Sequence, residues 1–376
     1  MLRVLLVIPS FEGGGAERAW ATLLQTFPAE RLSCLIARFK PGGVFERDVP
    51  PGLPRYLVRA RRGDPTVVFR LAGLIRRLKP DIVVAVLRYA NVVTVLANLL
   101  AGARTRVVIN EQNVPEVEFA QHPGASLKRR VLRALYPRAH GVTAISRGIA
   151  EALVARAGVA PGRVRVIPNP VDVHATAVLG AQPHPHPWLA PASGPPVVVA
   201  AGRLVRQKGF DTLLRAFRRV RDVRDARLII LGAGPLAGEL LAQRETLALS
   251  ADVDFPGFDP NPYRYFSRAA CVVVASRYEG FGNVIVEAMA CGTPVVATRC
   301  PSGPGEIIED GTNGLLVPVD DARALAEAIV RVLDDGGLAE TLRREGSARA
   351  LDFSAERVAE AYCSFLESLM AASVAA

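Results

Sequence analysis

Ser276-Arg-Tyr-Glu-Gly-Phe-Gly-Asn-Val-Ile-Val-Glu-Ala-Met-Ala-Cys-Gly-Thr-Pro-Val-Val296 decides the fold. It follows the apolar run Cys271–Ala275 and reads as a strand end, a glycine loop, a helix from about Asn283 to Cys291, a stop at Gly292 and Pro294, and a new strand. Strand, glycine loop, helix and strand in succession is the repeating unit of a parallel α/β sheet. A helix opening near Asn283 leaves the N–H groups of Gly280 to Val284 without intrahelical partners at the positive end of the helix dipole, which favours an anion or a polyhydroxylated ring. Glu287 lies one turn in, on the face of Asn283, and Glu279 lies in the loop before it. Glutamates in a loop and on a helix are ordinarily just solvated. Glu287, however, sits between Val284-Ile-Val286 and Ala288-Met-Ala290, where a carboxylate needs a partner.

The same alternation extends in both directions. Pro196–Ala201 and Arg227–Leu231 read as strands around a helix at Asp211–Arg221, with Asp211 as its N-cap. The loop Gly202-Arg-Leu-Val-Arg-Gln-Lys-Gly209 follows the first of these strands, and its Arg203 and Lys208 suit a diphosphate. Leu231-Gly-Ala-Gly-Pro235 brings Gly232 and Gly234 where a base or ribose can lie close to the backbone. Ala322–Leu333 and Ser354–Met370 are helical. In the first half, Arg3–Pro9, Leu32–Arg38, Asp81–Val86, Thr105–Ile109, Gly141–Ile145 and Arg163–Ile167 are short apolar runs between helix-like segments. The glycine loop Gly13-Gly14-Gly15 follows the first of them and resembles a phosphate-binding loop, which makes it a donor-binding candidate, though without GxGxxG spacing and without a Walker A lysine. From Val173 to about residue 195 the chain is rich in Pro, Ala and Gly and has no period, so it reads as a linker. Two Rossmann-like doubly wound domains are expected, 1–172 and 196–353, facing across a cleft, with the final helix 354–370 packing back on the first.

Composition narrows the function. Half of the 376 residues are apolar and the five cysteines form no CxxC pair, which fits a folded protein of a reducing compartment. The longest apolar run, Tyr89–Ala103, is too short to span a bilayer. The net charge of +10 is uneven: residues 1–172 hold 26 Lys and Arg against 12 Asp and Glu, and residues 173–376 hold 20 against 24. A basic half suits nucleic acid, an anionic membrane or an anionic small molecule. Nucleic acid is disfavoured, because aromatic residues are only 6% of the chain. Lys128, Arg129, Arg130 and Arg133 stand beside Val131, Leu132, Leu135 and Tyr136. The segment reads equally as a basic amphipathic helix on anionic lipid and as a surface helix with a core-facing leucine stripe. His140 reads as structural, His122 is no obvious site residue, and His184 and His186 read as solvated.

Taken together these loops resemble the retaining glycosyltransferases of family 4, of GT-B fold. The likeness runs over nearly the whole chain. It includes the GGGAER loop at Gly13, Ala144-Ile-Ser146, Val166-Ile-Pro-Asn-Pro-Val-Asp172, GRLVRQKGF, LGAGP, Val253-Asp-Phe-Pro-Gly257, the E-x7-E pair Glu279/Glu287, and Gly311-Thr-Asn-Gly-Leu-Leu-Val-Pro318. The resemblance implies that Glu287 binds the ribose of a nucleotide sugar. It implies that Glu279, with Gly280 and the N–H groups of Phe281, Gly282 and Asn283, holds the transferred sugar. Arg203 and Lys208 would then neutralise the leaving diphosphate, with no metal and no cofactor. Members often carry His or Arg after the fourth strand; here Ile109-Asn-Glu-Gln-Asn-Val114 places Glu111, Gln112 or Asn113 on the sugar or acceptor side. Ser302 and Gly303 of Cys300-Pro-Ser-Gly-Pro-Gly305 would line the donor sugar, a hexose or N-acetylhexosamine. A UDP-sugar donor and a glycan or lipid-linked acceptor are expected, at the cytoplasmic face of a membrane. A GT-B epimerase shares the fold. An oxidoreductase lacks its nicotinamide fingerprint, and a phosphorylase lacks both the length and a lysine motif for pyridoxal phosphate.

Overall fold

The computed structural model describes residues 1–59, 64–102, 105–113, 124–183, 186–190 and 194–371. His122 and His184 lie outside them. The chain divides into two compact units, Met1–Pro170 with Ala355–Ala376, and Val171–Ser354.

The first unit is built on a seven-stranded parallel sheet. Its strands are β1 Leu2–Ile8, β2 Leu32–Arg38, β3 Arg55–Leu57, β4 Ile82–Val86, β5 Arg106–Glu111, β6 Gly141–Ala144 and β7 Val164–Val166, in the order β3-β2-β1-β4-β5-β6-β7. Runs such as Ile82-Val-Val-Ala-Val86 are buried along their whole length, as strands covered on both faces must be. The helix Ala355–Ala371 belongs to this unit. Val358, Ala359, Tyr362, Cys363 and Leu366 enter the core beside Trp20, whose ring meets Tyr362 edge-on at 5.1 Å. Arg31 fixes the outer face of that helix with a fork on Glu367, at 2.8 and 2.7 Å.

The second unit carries a six-stranded parallel sheet, β8 Val197–Ala201, β9 Arg227–Leu231, β10 Val253–Gly257, β11 Cys271–Val274, β12 Val295–Thr298 and β13 Leu315–Val317, in the order β10-β9-β8-β11-β12-β13. In each sheet the order reverses once, between β1 and β4 and between β8 and β11. Loops leaving the carboxyl ends of such a pair diverge and open a crevice between them. The chain enters and leaves this unit side by side, since Val171 N donates to Phe353 O at 2.8 Å.

Two sequence readings need correction. The stretch from Val173, read as linker, begins with an α-helix, Val173–Ala181, capped by Asp172, whose Oδ1 accepts from Ala175 N at 2.8 Å. Apart from His174 its residues are small or apolar all round, so no period marks it. It packs on the second unit, where Ser267 Oγ and Arg268 Nη1 donate to Gly180 O at 2.9 and 2.7 Å. The helix Phe210–Val223 is capped by Gly209 rather than Asp211, which lies in its first turn with its carboxylate turned to Arg277.

Candidate active site

The crevice of the second unit lies between the loops that follow β8 and β11, Gly202–Gly209 and Ser276–Gly282. They are stitched along their backbones: Arg277 N donates to Gln207 O at 2.8 Å, and Gln207 Nε2 to Tyr278 O at 3.0 Å. Beside that seam Lys208 Nζ donates to Glu279 Oε1 at 2.5 Å, and Ser276 Oγ donates to the same oxygen at 2.6 Å. The two charged side chains are 17% and 8% exposed. An ion pair this far from water is held tightly, because removing one partner strands the other charge. The structure thus joins Lys208 and Glu279, expected to serve phosphate and sugar separately, into one acid–cation unit. One of the three ammonium N–H groups is committed to it.

From Gly282 the helix Asn283–Ala290 begins, with no side-chain cap and with Glu287 in its second turn, 6% exposed. Burial, with the nearby charge of Glu287, pushes the Cys291 thiol up to about 12. Phe281 is buried with its ring edge-on to Phe353 at 5.3 Å, which anchors the loop. Gly280, Phe281, Gly282 and Asn283 therefore form the continuous turn between the two glutamates.

Other expected residues stand one layer back. Ser302 Oγ donates to Glu279 O at 2.6 Å, and Gly303, at φ +86, lies so close to Phe281 that a Cβ would fall 2.2 Å from its carbonyl oxygen. They brace the Glu279–Gly282 turn from beneath. Gly232 has a comparable reason to be glycine, since a Cβ there would stand 1.9 Å from Gly202 O. Leu204 N donates to Ala233 O at 3.0 Å, so Gly232 and Gly234 hold the loops after β8 and β9 together. The Arg203 side chain is exposed and, among the described residues, makes no hydrogen bond or ion pair; it is not brought to the Lys208–Glu279 pair. Sequence reading missed Ser276, a plain serine at a strand end with nothing in its neighbourhood to single it out.

In the first unit Gly13 and Gly14 follow β1, and Gly15 opens the helix Gly15–Thr26. Glu111, at the end of β5 and 1% exposed, is turned inward: Tyr136 OH donates to its Oε2 at 2.6 Å and Arg88 Nη2 to its Oε1 at 3.1 Å. Burial and this carboxylate hold the Tyr136 hydroxyl well above the ordinary phenol range. Gln112 is also buried and trades amide bonds with Asn169, at 3.2 and 3.0 Å. Asn113 alone of the three is exposed, its N–H reaching Glu111 Oε1 at 3.4 Å. His140 is structural, accepting from Val107 N on Nδ1 at 3.0 Å. His186 is not solvated as read; it is buried, 2.9 Å from Asp254 Oδ2 and stacked edge-on with Trp188. Burial raises all five thiols, Cys300 to about 12 beside Glu279, so none is a thiolate near neutral pH. No group of three His, Cys, Asp or Glu side chains among the described residues is placed to hold a metal ion. No described helix is long and apolar enough to cross a membrane.

Comparison with known proteins agrees with this geometry. Residues 195–335 match the model for glycosyl transferases group 1, and residues 13–175 match the model for glycosyltransferase family 4. The N-acetylgalactosamine-N,N'-diacetylbacillosaminyl-diphospho-undecaprenol 4-alpha-N-acetylgalactosaminyltransferase of Campylobacter jejuni is 29% identical over 96% of this chain and 98% of its own. A lipopolysaccharide core biosynthesis glycosyltransferase of Rhizobium meliloti is 37% identical over 46% of this chain and 50% of its own. Among solved structures, Anabaena HepE in complex with UDP-glucose superimposes with a TM-score of 0.83 at 24% identity, covering 98% of this chain and all of that one. With both halves matched by models of one enzyme family, on two Rossmann-like sheets of the GT-B kind, the chain belongs to the family 4 glycosyltransferases.

Proposed function

We propose that this glycosyltransferase moves a hexose or N-acetylhexosamine from a UDP-sugar to a glycan or lipid-linked acceptor in cell-surface polysaccharide or glycolipid synthesis, with retention and without a metal ion. The observation that carries the reading is the Lys208–Glu279 pair at the edge of the turn that leads to Glu287. A nucleotide sugar needs a cation at its diphosphate and an acceptor of hydroxyl hydrogen bonds at the adjoining sugar, and the pair offers both at one point. Glu287 takes the ribose, Glu279 and the N–H groups of Phe281, Gly282 and Asn283 take the sugar, and Lys208 with Arg203 takes the diphosphate. The bond from the anomeric carbon to the β-phosphate oxygen breaks and a bond to an acceptor hydroxyl forms, whose proton passes to the departing diphosphate. Charge grows on that diphosphate as the bond breaks, and a fixed cation stabilises it. The name of the Campylobacter relative specifies an alpha product. An alpha product made from an alpha-linked donor is retention.

The test is a thermal-shift and transfer assay with UDP-glucose, UDP-N-acetylglucosamine and UDP-N-acetylgalactosamine. A UDP-sugar at a hundred times its Kd stabilises the fold by about 2.7 kcal/mol. Glu287→Ala is expected to remove that shift and, like Lys208→Ala, to abolish transfer while the protein stays folded; EDTA leaves transfer unchanged. A protein stabilised by GDP-sugars instead, or one inactivated by EDTA and restored by Mn²⁺, refutes the corresponding part.

The basic first unit suits an anionic membrane surface. The helices Thr66–Leu78, Arg88–Ala101 and Ala125–Leu135 contain no Asp or Glu. They expose Phe69, Leu99, Leu100 and Leu127, on helices that also carry Arg70, Arg88, Lys128 and Arg129. Leu132 and Leu135 are buried, so attraction at the last helix rests on charge rather than on its leucine stripe. Co-sedimentation with phosphatidylglycerol vesicles, lost at high salt and absent with phosphatidylcholine, is the expected result; equal binding to both refutes it.

A further inference from the structure

The side chain between Ser276 and Tyr278 has no role in the chemistry described so far, yet it is the most completely engaged group around the site. Arg277 Nη1 donates to Asp211 Oδ1 at 2.9 Å and to Arg206 O at 2.8 Å. Its Nη2 donates to Asp211 Oδ2 at 2.8 Å and to Thr212 Oγ1 at 3.4 Å and lies 2.8 Å from Asp320 Oδ1, and its Nε donates to Asp320 Oδ2 at 3.0 Å. All five guanidinium N–H groups are thereby used. Each partner comes from a different part of the second unit: Arg206 from the loop after β8, Asp211 from the first turn of the helix that follows, and Asp320 from the turn after β13.

Asp320 is held at φ +60, a left-handed conformation uncommon for a non-glycine residue, although Asp tolerates it better than most. Its carboxylate also accepts from Thr212 Oγ1 at 2.9 Å. Arg277 holds the Asp320 carboxyl below its usual range. Burial pushes Asp211 up, and the hydrogen bonds and charge of Arg277 more than reverse this.

We infer that Arg277 is a positioning residue for group transfer, clamping the loop of Glu279 to the loop of Lys208 so that Lys208 meets the diphosphate while Glu279 meets the adjoining sugar. The geometry is direct. Arg277 and Glu279 are two positions apart, as are Arg206 and Lys208. The fork at one end and the 2.5 Å ion pair at the other therefore fix the two loops in register. Lysine cannot replace the clamp, since an ammonium on a flexible stem has three donors and no planar fork. With its guanidinium held by protein groups, Arg277 acts through the two loops, and Glu287, on the helix beyond the turn, is outside the clamp.

This rests on the UDP-sugar reading, and the test separates the two. Isothermal titration with UMP and UDP is made on the wild type and on Arg277→Lys, Arg277→Met and Asp320→Gly, the last removing a carboxylate where glycine relieves the backbone. Wild type is expected to bind UDP more tightly than UMP through Lys208. In the variants UMP affinity is unchanged, while the advantage of UDP falls by about ten- to a hundredfold, the loss of a hydrogen bond to a charged group. In transfer assays kcat falls more than the donor KM rises, and Arg277→Lys recovers little. Equal weakening of UMP and UDP, or no weakening of either, overturns the clamp while leaving the donor reading intact. A wild type without affinity for UDP overturns both.

Discussion

Glu287 could be singled out from sequence because a carboxylate inside an apolar segment is a conflict that must be resolved somewhere, and Glu279 because it stands in the glycine loop just before. Glu111 and Gln112 show the limit of that reasoning. Gln112 pairs with Asn169, 57 positions away, and Glu111 with Tyr136, 25 positions away, and no local pattern announces either. Both side chains are consumed within the first unit, so Asn113 is the member of that trio left at the surface. His140 permits a prediction at the same scale. Burial first, then Arg106 and Arg163, depress its pKa, and its Nδ1 must stay unprotonated to accept from Val107 N. A histidine whose folded pKa is depressed contributes stability above its unfolded pKa, about 6.5. That stability is lost as pH falls from there toward the folded value. The melting temperature is expected to drop between pH 7 and 5, and His140→Asn, whose amide oxygen accepts without titrating, is expected to flatten the drop. An unchanged pH profile in the variant would count against it.

Among elements, the strands and the helix at Asn283 were legible because buried parallel strands are continuous apolar runs and glycine loops interrupt them. The helix Val173–Ala181 was not, since a segment of small apolar residues carries neither stripe nor alternation. It depends on its cap and on its contact with Ser267 and Arg268. Asp172→Ala is expected to cost about 1 kcal/mol, the usual worth of an N-cap, measured by urea unfolding. Asp172→Asn or Ser should restore most of it. A loss equally large in Asp172→Asn would mean that charge rather than capping matters. The helix Ala125–Leu135 shows the reverse lesson. Its two readings shared one pattern; Leu132 and Leu135 are buried, so the leucine stripe faces the core, and the vesicle test is left to its basic residues.

For the whole molecule, two sheets of opposite connectivity on either side of β1 and of β8 were readable as two doubly wound units, because each restarts from a strand and a glycine loop. The last helix is expected to pack back on the first unit, but patterning alone does not name the groups that receive it. Arg31 and Trp20 select Ala355–Ala371 through Glu367 and Tyr362. A chain ended at Ser354 leaves that face of the first unit bare. It is expected to bind the dye ANS and to unfold without a cooperative transition for that unit, as read by near-ultraviolet circular dichroism; an intact, cooperative first unit would refute this. The paired crossing at Val171 and Phe353 has a consequence for the order of biosynthesis. The second unit is an insertion, so the ribosome delivers most of the first unit, then all of Val171–Ser354, and only afterwards the helix that closes the first. At about 5–20 residues per second this delay lasts roughly 10–40 s. For that interval the nascent amino-terminal half carries an open hydrophobic seam, a natural station for a chaperone.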